Sequence, residues 1–191
     1  MGRKFTKISA EAFKSMQINA GLVLNKFDTE GQTAVADADI LCATTGGITA
    51  NCTPNIKDLG EDVDNCQKNT VELMEIESYD CTLAFTALNT SAEVIRMALG
   101  AADVAEGKVT PRMKFKTDKT TGDFKTIWFV GDLIGGGYVA VRLDNAISTG
   151  GLSLKTTDKG KGNVSVTLTG CVRMGDETVP MEFFVSEDAA A

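Results

Sequence analysis

The chain of 191 residues contains no histidine. Histidine is the side chain that most often transfers protons near neutral pH, and its imidazole is the commonest nitrogen ligand of metal ions. Its absence excludes the serine–histidine and cysteine–histidine mechanisms of nucleophilic catalysis. No other nucleophile has a visible activating partner, so we expect no catalytic residue and no enzymatic activity.

Cysteines are few, and their spacing does not suit a metal site. The chain has five of them, an odd number without a CxxC pair: Cys42, Cys52, Cys66, Cys81 and Cys171. A zinc knuckle or a thioredoxin-type motif therefore finds no support. We expect buried or half-buried free thiols in a reducing compartment, and neither a metal nor a cofactor. One disulfide stays open as an alternative, and the sequence does not choose its pair.

Long apolar runs are missing as well. Nowhere do eighteen apolar residues follow one another, and the basic N-terminal stretch lacks the apolar centre of a signal peptide. We therefore expect synthesis and initial folding in the cytoplasm and no membrane partner. The glycine clusters Gly135–Gly137 and Gly150–Gly151 do not stand between a strand and a helix, which argues against a phosphate-binding loop.

Aromatic residues make up only 6% of the chain, with a single tryptophan, Trp128, and two tyrosines, Tyr79 and Tyr138. So few aromatics argue against a glycosidase cleft or a carbohydrate-binding platform. The acidic string DLGEDVDN also lacks the spacing of an EF-hand calcium loop. A soluble β-sandwich binding module nevertheless stays open as an alternative function.

What the chain does contain is strand signal. Val164, Val166 and Leu168 lie on one face of an extended segment with Gly170 and Val172, and the residues between them are mostly polar. This period of two predicts a half-buried antiparallel strand. Further strands are predicted over residues 17–27, 40–43, 48–53 and 70–87, and as two strands within residues 126–146.

Two other segments carry local signals. Gly46-Gly47 is expected to break the second strand, and residues 54–69 show neither strand nor helix periodicity, which is typical of a loop kept for contact or function. The string Thr90-Ser91-Ala92-Glu93 is a capping box that predicts a helix start at Thr90. An apolar stripe from Val94 to Ala102 would pack this single helix on the sheet. The chain is therefore mainly β.

The formal charge of −7 is distributed in blocks. Residues 56–80 hold eight acids against two lysines, whereas residues 1–16 carry a net charge of +3 and residues 108–125 one of +4. Complementary patches on a domain with exposed strand edges favour self-association. An acidic chain is also poorly suited to binding nucleic acid tightly, because the affinity of proteins for nucleic acid depends mainly on neutralisation of phosphates by lysine and arginine.

Several segments, taken in order, resemble those of one known family. They are NAGLVLNKFDTEG, ILCATTGGITANCTPNIKDLGEDVDNC, IWFVGD, NAISTGGLSLKTTDKGKGNVSVTLTG and DETVP. Together they cover roughly residues 17–186 and resemble the tail tube (major tail) proteins of phages and prophages of Gram-positive bacteria. The order and extent of the segments carry this resemblance.

The resemblance implies an antiparallel β-sandwich or barrel-like subunit with one flanking α-helix. Six copies would form a ring, and rings would stack into a hollow tube through which the genome passes. Residues 1–16 would be a basic arm, residues 17–186 the tail tube β-domain and residues 187–191 a short tail. The implied partners are further copies of the chain, the tape measure, tail terminator and distal tail proteins, and DNA that passes without adhesion. The implied location is the virion tail, assembled in the bacterial cytoplasm.

Within that architecture two roles are open for Asp58, Glu61, Asp62 and Asp64. They either line an acidic bore, where repulsion of DNA acts over a Debye length of about 8 Å, or touch the next ring. We favour the second role, because this segment lacks strand periodicity. The candidate basic residues between subunits are Arg3, Lys4, Lys7, Lys14, Lys114, Lys116, Lys159 and Lys161.

Within the structural class, the runner-up is the inner tube of a contractile tail or of a tail-like bacteriocin. The subunit fold of such tubes is shared, so only an accompanying sheath would separate the two.

Overall fold

The computed structural model describes residue 9 and residues 11–30 and 34–186. This part of the chain forms eleven β-strands and two α-helices. The strands are β1 (Leu22–Leu24), β2 (Ile40–Cys42), β3 (Thr44–Asp58), β4 (Met74–Ala87), β5 (Ala102–Ala105), β6 (Lys108–Pro111), β7 (Lys125–Asp132), β8 (Tyr138–Ser148), β9 (Ser153–Lys155), β10 (Asn163–Gly170) and β11 (Met181–Ser186). The helices are α1 (Glu11–Lys14) and α2 (Ala92–Leu99). The predicted mainly β fold with a flanking helix is confirmed.

Nine strands belong to one antiparallel sheet in the described part of the chain. Its order is β2-β1-β7-β8-β10-β4-β3, with β11 added to β8 and β9 added to β10; β5 and β6 form a separate hairpin. The long strand β8 pairs with β7 and β11 over its first part and with β10 over its last three residues. It therefore carries the sheet from one half of the molecule to the other.

The two halves of the sheet face each other across one core. Buried side chains from β1, β2, β4, β7, β8, β10, β11 and α2 form a single cluster, in which Leu83, Leu143 and Leu168 are fully buried. The alternation predicted for β10 is confirmed over Val164, Val166 and Leu168. The strand ends at Gly170, however, and Val172 lies exposed beyond it.

A second, aromatic cluster covers the opposite face of β1, β7 and β8. Leu24, Trp128 and Val130 alternate with residues of the main core, so this half of the sheet is buried on both sides. The ring of Phe27 lies 5.7 Å from that of Trp128 and 5.1 Å from that of Tyr138. Trp128 is only 8% exposed and is thus a packing residue.

Helix α2 begins one residue later than the capping box predicts. Ser91 is the N-cap, and its hydroxyl accepts a hydrogen bond from the Val94 amide at 3.3 Å. The Glu93 carboxylate accepts instead from Arg96 Nε at 3.0 Å, which removes the reciprocal half of the predicted box. As predicted, the apolar stripe packs on the sheet, with Val94 and Ala98 buried in the main core.

Two sequence predictions about β3 are wrong. Gly46-Gly47 does not interrupt the strand. Both residues have positive φ and form a bulge, after which Ile48 pairs with Phe85. The strand then continues to Asp58, so only residues 59–73 connect β3 to β4. Residues 54–58 are extended because they pair with β4, although their polar sequence does not predict a strand.

Three smaller differences concern the edges of the fold. The first strand is limited to residues 22–24, although Gln17 adds an isolated bridge to Leu133. The hairpin of β5 and β6 was not predicted. Helix α1 lies within the predicted basic arm, where the Lys14 carbonyl accepts from the Gly135 amide at 2.8 Å and ties this end of the arm to the β7–β8 turn.

Candidate functional site

The hairpin of β3 and β4 extends beyond the core of the domain. In β4 the residues from Cys81 to Ala87 alternate between buried and half-buried, whereas Met74 to Ser78 are all exposed. The matching end of β3, from Thr53 to Asp58, is exposed or half-buried. We call residues 53–80 the hairpin tip.

A bulge at Glu77 decides which way the hairpin tip presents its apolar side chains. Asn55 pairs with Ser78, but the next residue, Ile56, pairs with Ile76, so Glu77 is an extra residue in β4. Because side chains alternate along a strand, this extra residue moves Ile76 from the face of Ser78 to the face of Cys81. Unbroken alternation along β4 would instead have placed Ile76 on the face of the polar residues Ser78 and Asp80.

The result is an apolar strip that continues the core face out of the domain. Ile56 and Ile76 face each other across the hairpin, 55% and 52% exposed, and Met74 follows on the same face. Val71, in the connection to β4, is 81% exposed. Cross-strand apolar pairs stabilise a sheet chiefly when they are covered. Nothing in the described part of the monomer covers this pair fully.

A groove of about 410 Å³ runs beside the strip. One wall is the segment Ile76 to Tyr79, and the other is the loop after β10, including Val172 and residues 176–180. Both Ile76 and Val172 are more than half exposed. The groove therefore adds apolar surface to the strip on the side of the domain body.

Asp58 organises the loop at the end of the hairpin tip. Its Oδ2 accepts from the Asn69 amide at 2.8 Å and its Oδ1 from the Gly60 amide at 2.9 Å. These backbone hydrogen bonds lower the pKa of the Asp58 carboxyl below its usual value of 3.8. Both hydrogen bonds to the Asp58 carboxylate are therefore fully formed at neutral pH and weaken only as the pH falls through this lowered pKa.

The other three predicted acids lie at the end of the hairpin tip. Glu61 lies 3.7 Å from Lys68 Nζ, and both side chains are largely exposed. Asp62 and Asp64 are exposed, and neither makes an ion pair or a side-chain hydrogen bond with the residues that the structure describes. The four acids thus lie in or beside one loop but differ in their roles. Asp58 shapes the loop, whereas Asp62 and Asp64 face solvent.

The predicted basic residues are not one patch. Arg3, Lys4 and Lys7 lie outside the described residues, whereas Lys14 is the exposed last residue of α1. Lys159 and Lys161 are exposed in the loop between β9 and β10. Lys114 and Lys116 belong to the polar segment after β6.

An ion-pair network organises that polar segment. Lys116 Nζ lies 2.7 Å from Asp103 Oδ1, and the Arg112 guanidinium contacts Asp103 and Asp123. Asp123 also accepts from the Lys116 amide at 2.8 Å, and its side chain is 3% exposed. The carboxyl of Asp103 has a lowered pKa, mainly because Lys116 donates to it. Lys116 is thus engaged within its own chain.

The outward face of β3, β4 and β10 was not singled out by the sequence. Its pairing rows contain almost only hydroxyl, amide and methyl groups: Thr45, Thr86 and Ser165; Thr49, Ala84 and Thr167; Asn51, Thr82 and Thr169; and Thr53 with Asp80. Asp80 is the one charged side chain in these four rows; farther out on the same face, Lys57 pairs with Glu75. The period-two pattern marked these positions as polar, but only the register shows that they form one neutral surface.

Metal-binding side chains do not cluster among the described residues. No group of three or more cysteine, aspartate and glutamate side chains there could hold a metal ion. A cavity of about 420 Å³ lies between α2 and the sheet. Its lining combines apolar side chains and the buried Ser148 with the charged residues Glu93, Arg96, Asp123 and Lys125. All five cysteines are free, as predicted, with Cys42 and Cys81 buried.

Comparison with known proteins adds no assignment. None of the known family models matches the chain, and none of the curated proteins is a significant match. As for membranes, the helices of the described segments are too short or too polar to span a bilayer.

Proposed function

We propose that this chain is the structural subunit of a phage or phage-like tail tube. In this proposal six copies form a ring, rings stack into a hollow tube, and DNA passes through the bore to the host. The family resemblance of the sequence supplies the stoichiometry and the presence of a bore. The mainly β fold with one packed helix, a free sheet edge and a projecting hairpin is consistent with it.

The uncovered apolar strip of the hairpin tip is the observation that carries the proposal. Soluble monomers rarely expose continuous apolar surface of this kind, and where they do, it marks an interaction site. Ile56 and Ile76 form a directly paired unit, and the Glu77 bulge aligns them with the core face. A second copy of the chain would bury both isoleucines and the groove beside them.

The edges of the sheet support association within a ring. Among the residues that the structure describes, strand β3 ends the sheet and pairs only with β4, so its other edge has free backbone donors and acceptors there over much of its length. Free edges tend to pair with another chain, and ring closure removes them. Edge pairing and coverage of the strip use different surfaces, as contacts within and between rings require.

The charge distribution supports a stacking role for the end of the hairpin tip. Asp62 and Asp64 face solvent and have no side-chain partner among the described residues, which suits contact with a basic surface of the next ring. Lys159 and Lys161, and the basic arm around Lys14, are the candidate partners. The acids therefore belong to ring stacking in this proposal.

The neutral face of β3, β4 and β10 is the better candidate for the wall of the bore. Threonine, serine and asparagine side chains carry no charge that would hold a phosphate backbone, whereas lysine or arginine there would bind DNA tightly. Asp80, the single acid of the four neutral rows, adds weak repulsion that is screened beyond about 8 Å. Passing DNA would meet a surface that does not retain it.

Electron microscopy of the purified chain and of two variants at Ile76 tests the proposal. The wild-type chain is expected to form rings or tubes with a central channel at high concentration. Ile76→Asp should abolish stacking because it places a charge in the buried strip, whereas Ile76→Val keeps the strip apolar and should assemble normally. Far-UV circular dichroism of both variants checks that the fold is retained.

Two results would overturn the proposal. One is a wild-type chain that stays monomeric under all assembly conditions, and the other is a solid polymer without a channel. If Ile76→Asp is folded and still forms tubes of normal length, the strip does not mediate stacking.

A further inference from the structure

Two cysteines face each other where the hairpin tip leaves the body of the domain. Cys52 of β3 pairs directly with Cys81 of β4, and their Sγ atoms are 3.5 Å apart. Cys81 is the last fully buried residue of β4 before the exposed segment begins, and Cys52 is half-buried. The pair therefore lies at the boundary between the packed core and the projecting part of the hairpin.

The geometry fits a disulfide without movement of the strands. Residues directly opposite in antiparallel strands have Cα atoms about 4.5 to 5.5 Å apart, which lies within the range that disulfides span. Closing the sulfur–sulfur distance from 3.5 Å to about 2.05 Å needs only small rotations of the two side chains. Of the three other thiols, Cys66 Sγ contacts the Gln67 carbonyl, Cys171 Sγ contacts the Thr169 carbonyl, and Cys42 is buried in the main core.

We propose that Cys52 and Cys81 are an oxidation site that forms a cross-strand disulfide when the protein meets a peroxide. Hydrogen peroxide first oxidises Cys52, the more accessible thiol, to a sulfenic acid and is itself reduced to water. The Cys81 sulfur then attacks the Cys52 sulfur, the S–S bond forms, and the sulfenic oxygen leaves as a second water with the Cys81 proton. The two thiols lose two electrons in total, and the peroxide accepts them.

Burial sets the order and the speed of these steps. Desolvation, together with the neighbouring Cys52 thiol, raises the pKa of Cys81 to about 12, so Cys81 is a poor site for the first attack. It becomes reactive only towards a sulfenic acid held beside it. In a reducing cytoplasm both thiols stay reduced, and oxidation follows exposure to an oxidising exterior.

The bond would add a covalent link between β3 and β4 at the root of the hairpin tip. It would fix the two strands that carry Ile56 and Ile76 relative to the body, after the chain has folded and paired in its reduced form. The chemistry requires only the monomer fold and does not depend on the proposed tube.

Mass spectrometry of the native chain tests this site. The protein is treated with hydrogen peroxide, its remaining thiols are alkylated under denaturing conditions, and the intact mass and peptides are measured. We expect three alkylated cysteines instead of five, and a peptide that joins Cys52 to Cys81. Cys52→Ser should give no disulfide-linked peptide, whereas the control Cys66→Ser should still form the link, with two alkylated cysteines.

Three results would contradict the site: five alkylatable thiols after treatment, a linked peptide that involves other cysteines, or irreversible oxidation of Cys52 to sulfinic acid without a link. A second variant, Cys81→Ala, guards against misreading a folding defect. If this variant retains the circular dichroism spectrum, it should accumulate a Cys52 sulfenic acid that dimedone traps, because the resolving thiol is gone. Absence of the dimedone adduct in a folded variant would also overturn the proposal.

Discussion

The Asp123 carboxylate is the most buried charge among the described residues, and it is held by the Arg112 guanidinium and the Lys116 amide. The Arg112 side chain is 18% exposed, and a further hydrogen bond from its Nη1 to the Lys114 carbonyl, at 2.8 Å, fixes it in place. Removing one partner of a buried ion pair leaves the other charge desolvated and unpaired. The polar segment predicted as a contact surface is thus partly a structural element.

We expect Arg112→Met to lower the free energy of unfolding by about 3 kcal/mol, the usual cost of stranding a buried carboxylate. Lys116→Met is the matched control, because it removes an ion pair to Asp103 in which both side chains are about half exposed. Exposed pairs contribute about 0.5 kcal/mol, so this variant should be nearly wild-type. Urea unfolding measures both. Equal losses in the two variants would show that the burial of Asp123 is not decisive.

At the scale of single elements, the sequence and the structure name different N-cap residues for α2: the capping box names Thr90, and the structure shows Ser91. Ser91→Ala removes the hydroxyl that accepts from the Val94 amide, and should cost about 1 kcal/mol, or about 2 to 4 °C in Tm. Thr90→Ala changes the residue that the capping box names, and should shift Tm by less than about 1 °C. Differential scanning calorimetry decides between them, and a larger loss at Thr90 would restore the predicted box.

The elements that the sequence predicts well are those whose signal is local and repeated. Strand β10 and the inner part of β4 show a period of two because one face of each meets the core, and the stripe of α2 follows in the same way. Such patterns need no knowledge of the partner strand.

What the sequence does not predict depends on distant pairing. The bulges at Gly46-Gly47 and Glu77 exist only relative to the partner strand, so a single strand's pattern cannot show them. The role of Asp58 depends on the amides of Gly60 and Asn69, which the folded loop brings to one carboxylate. The neutral face of three strands likewise depends on their register, since its hydroxyls come from segments far apart in the chain.

At the scale of the whole molecule, the position of charge should matter more than its total. Reversing Asp62 and Asp64 to lysine changes the net charge from −7 to −3, since each substitution adds two units. If these acids contact a basic surface of the next ring, the like charges should cost about 2 kcal/mol in total per subunit and raise the critical concentration for tubes about thirtyfold. Light scattering across a concentration series measures this value.

The matched control is Asp37→Lys with Asp39→Lys, which makes the same change of net charge in the short 3-10 turn before β2. It should leave the critical concentration within about threefold of the wild-type value, because only overall repulsion changes. If both double variants assemble alike, location is irrelevant and the hairpin acids have no stacking role. Raising the salt concentration should narrow the gap between them, because screening weakens exposed charge contacts.

The extra residue in β4 has a consequence for how such subunits could diverge. Because Glu77 has no partner in β3, a residue inserted between Asn55 and Ile56 would pair with it and restore strict alternation. Ile56 and Ile76 would then turn to the opposite face of the hairpin while every adhesive residue remained in the chain. Two lineages differing by this one codon would share their composition and their core, yet their polymers would not mix. The length of one strand would then determine which copies can assemble with each other. A comparison of residue types alone would not reveal this difference.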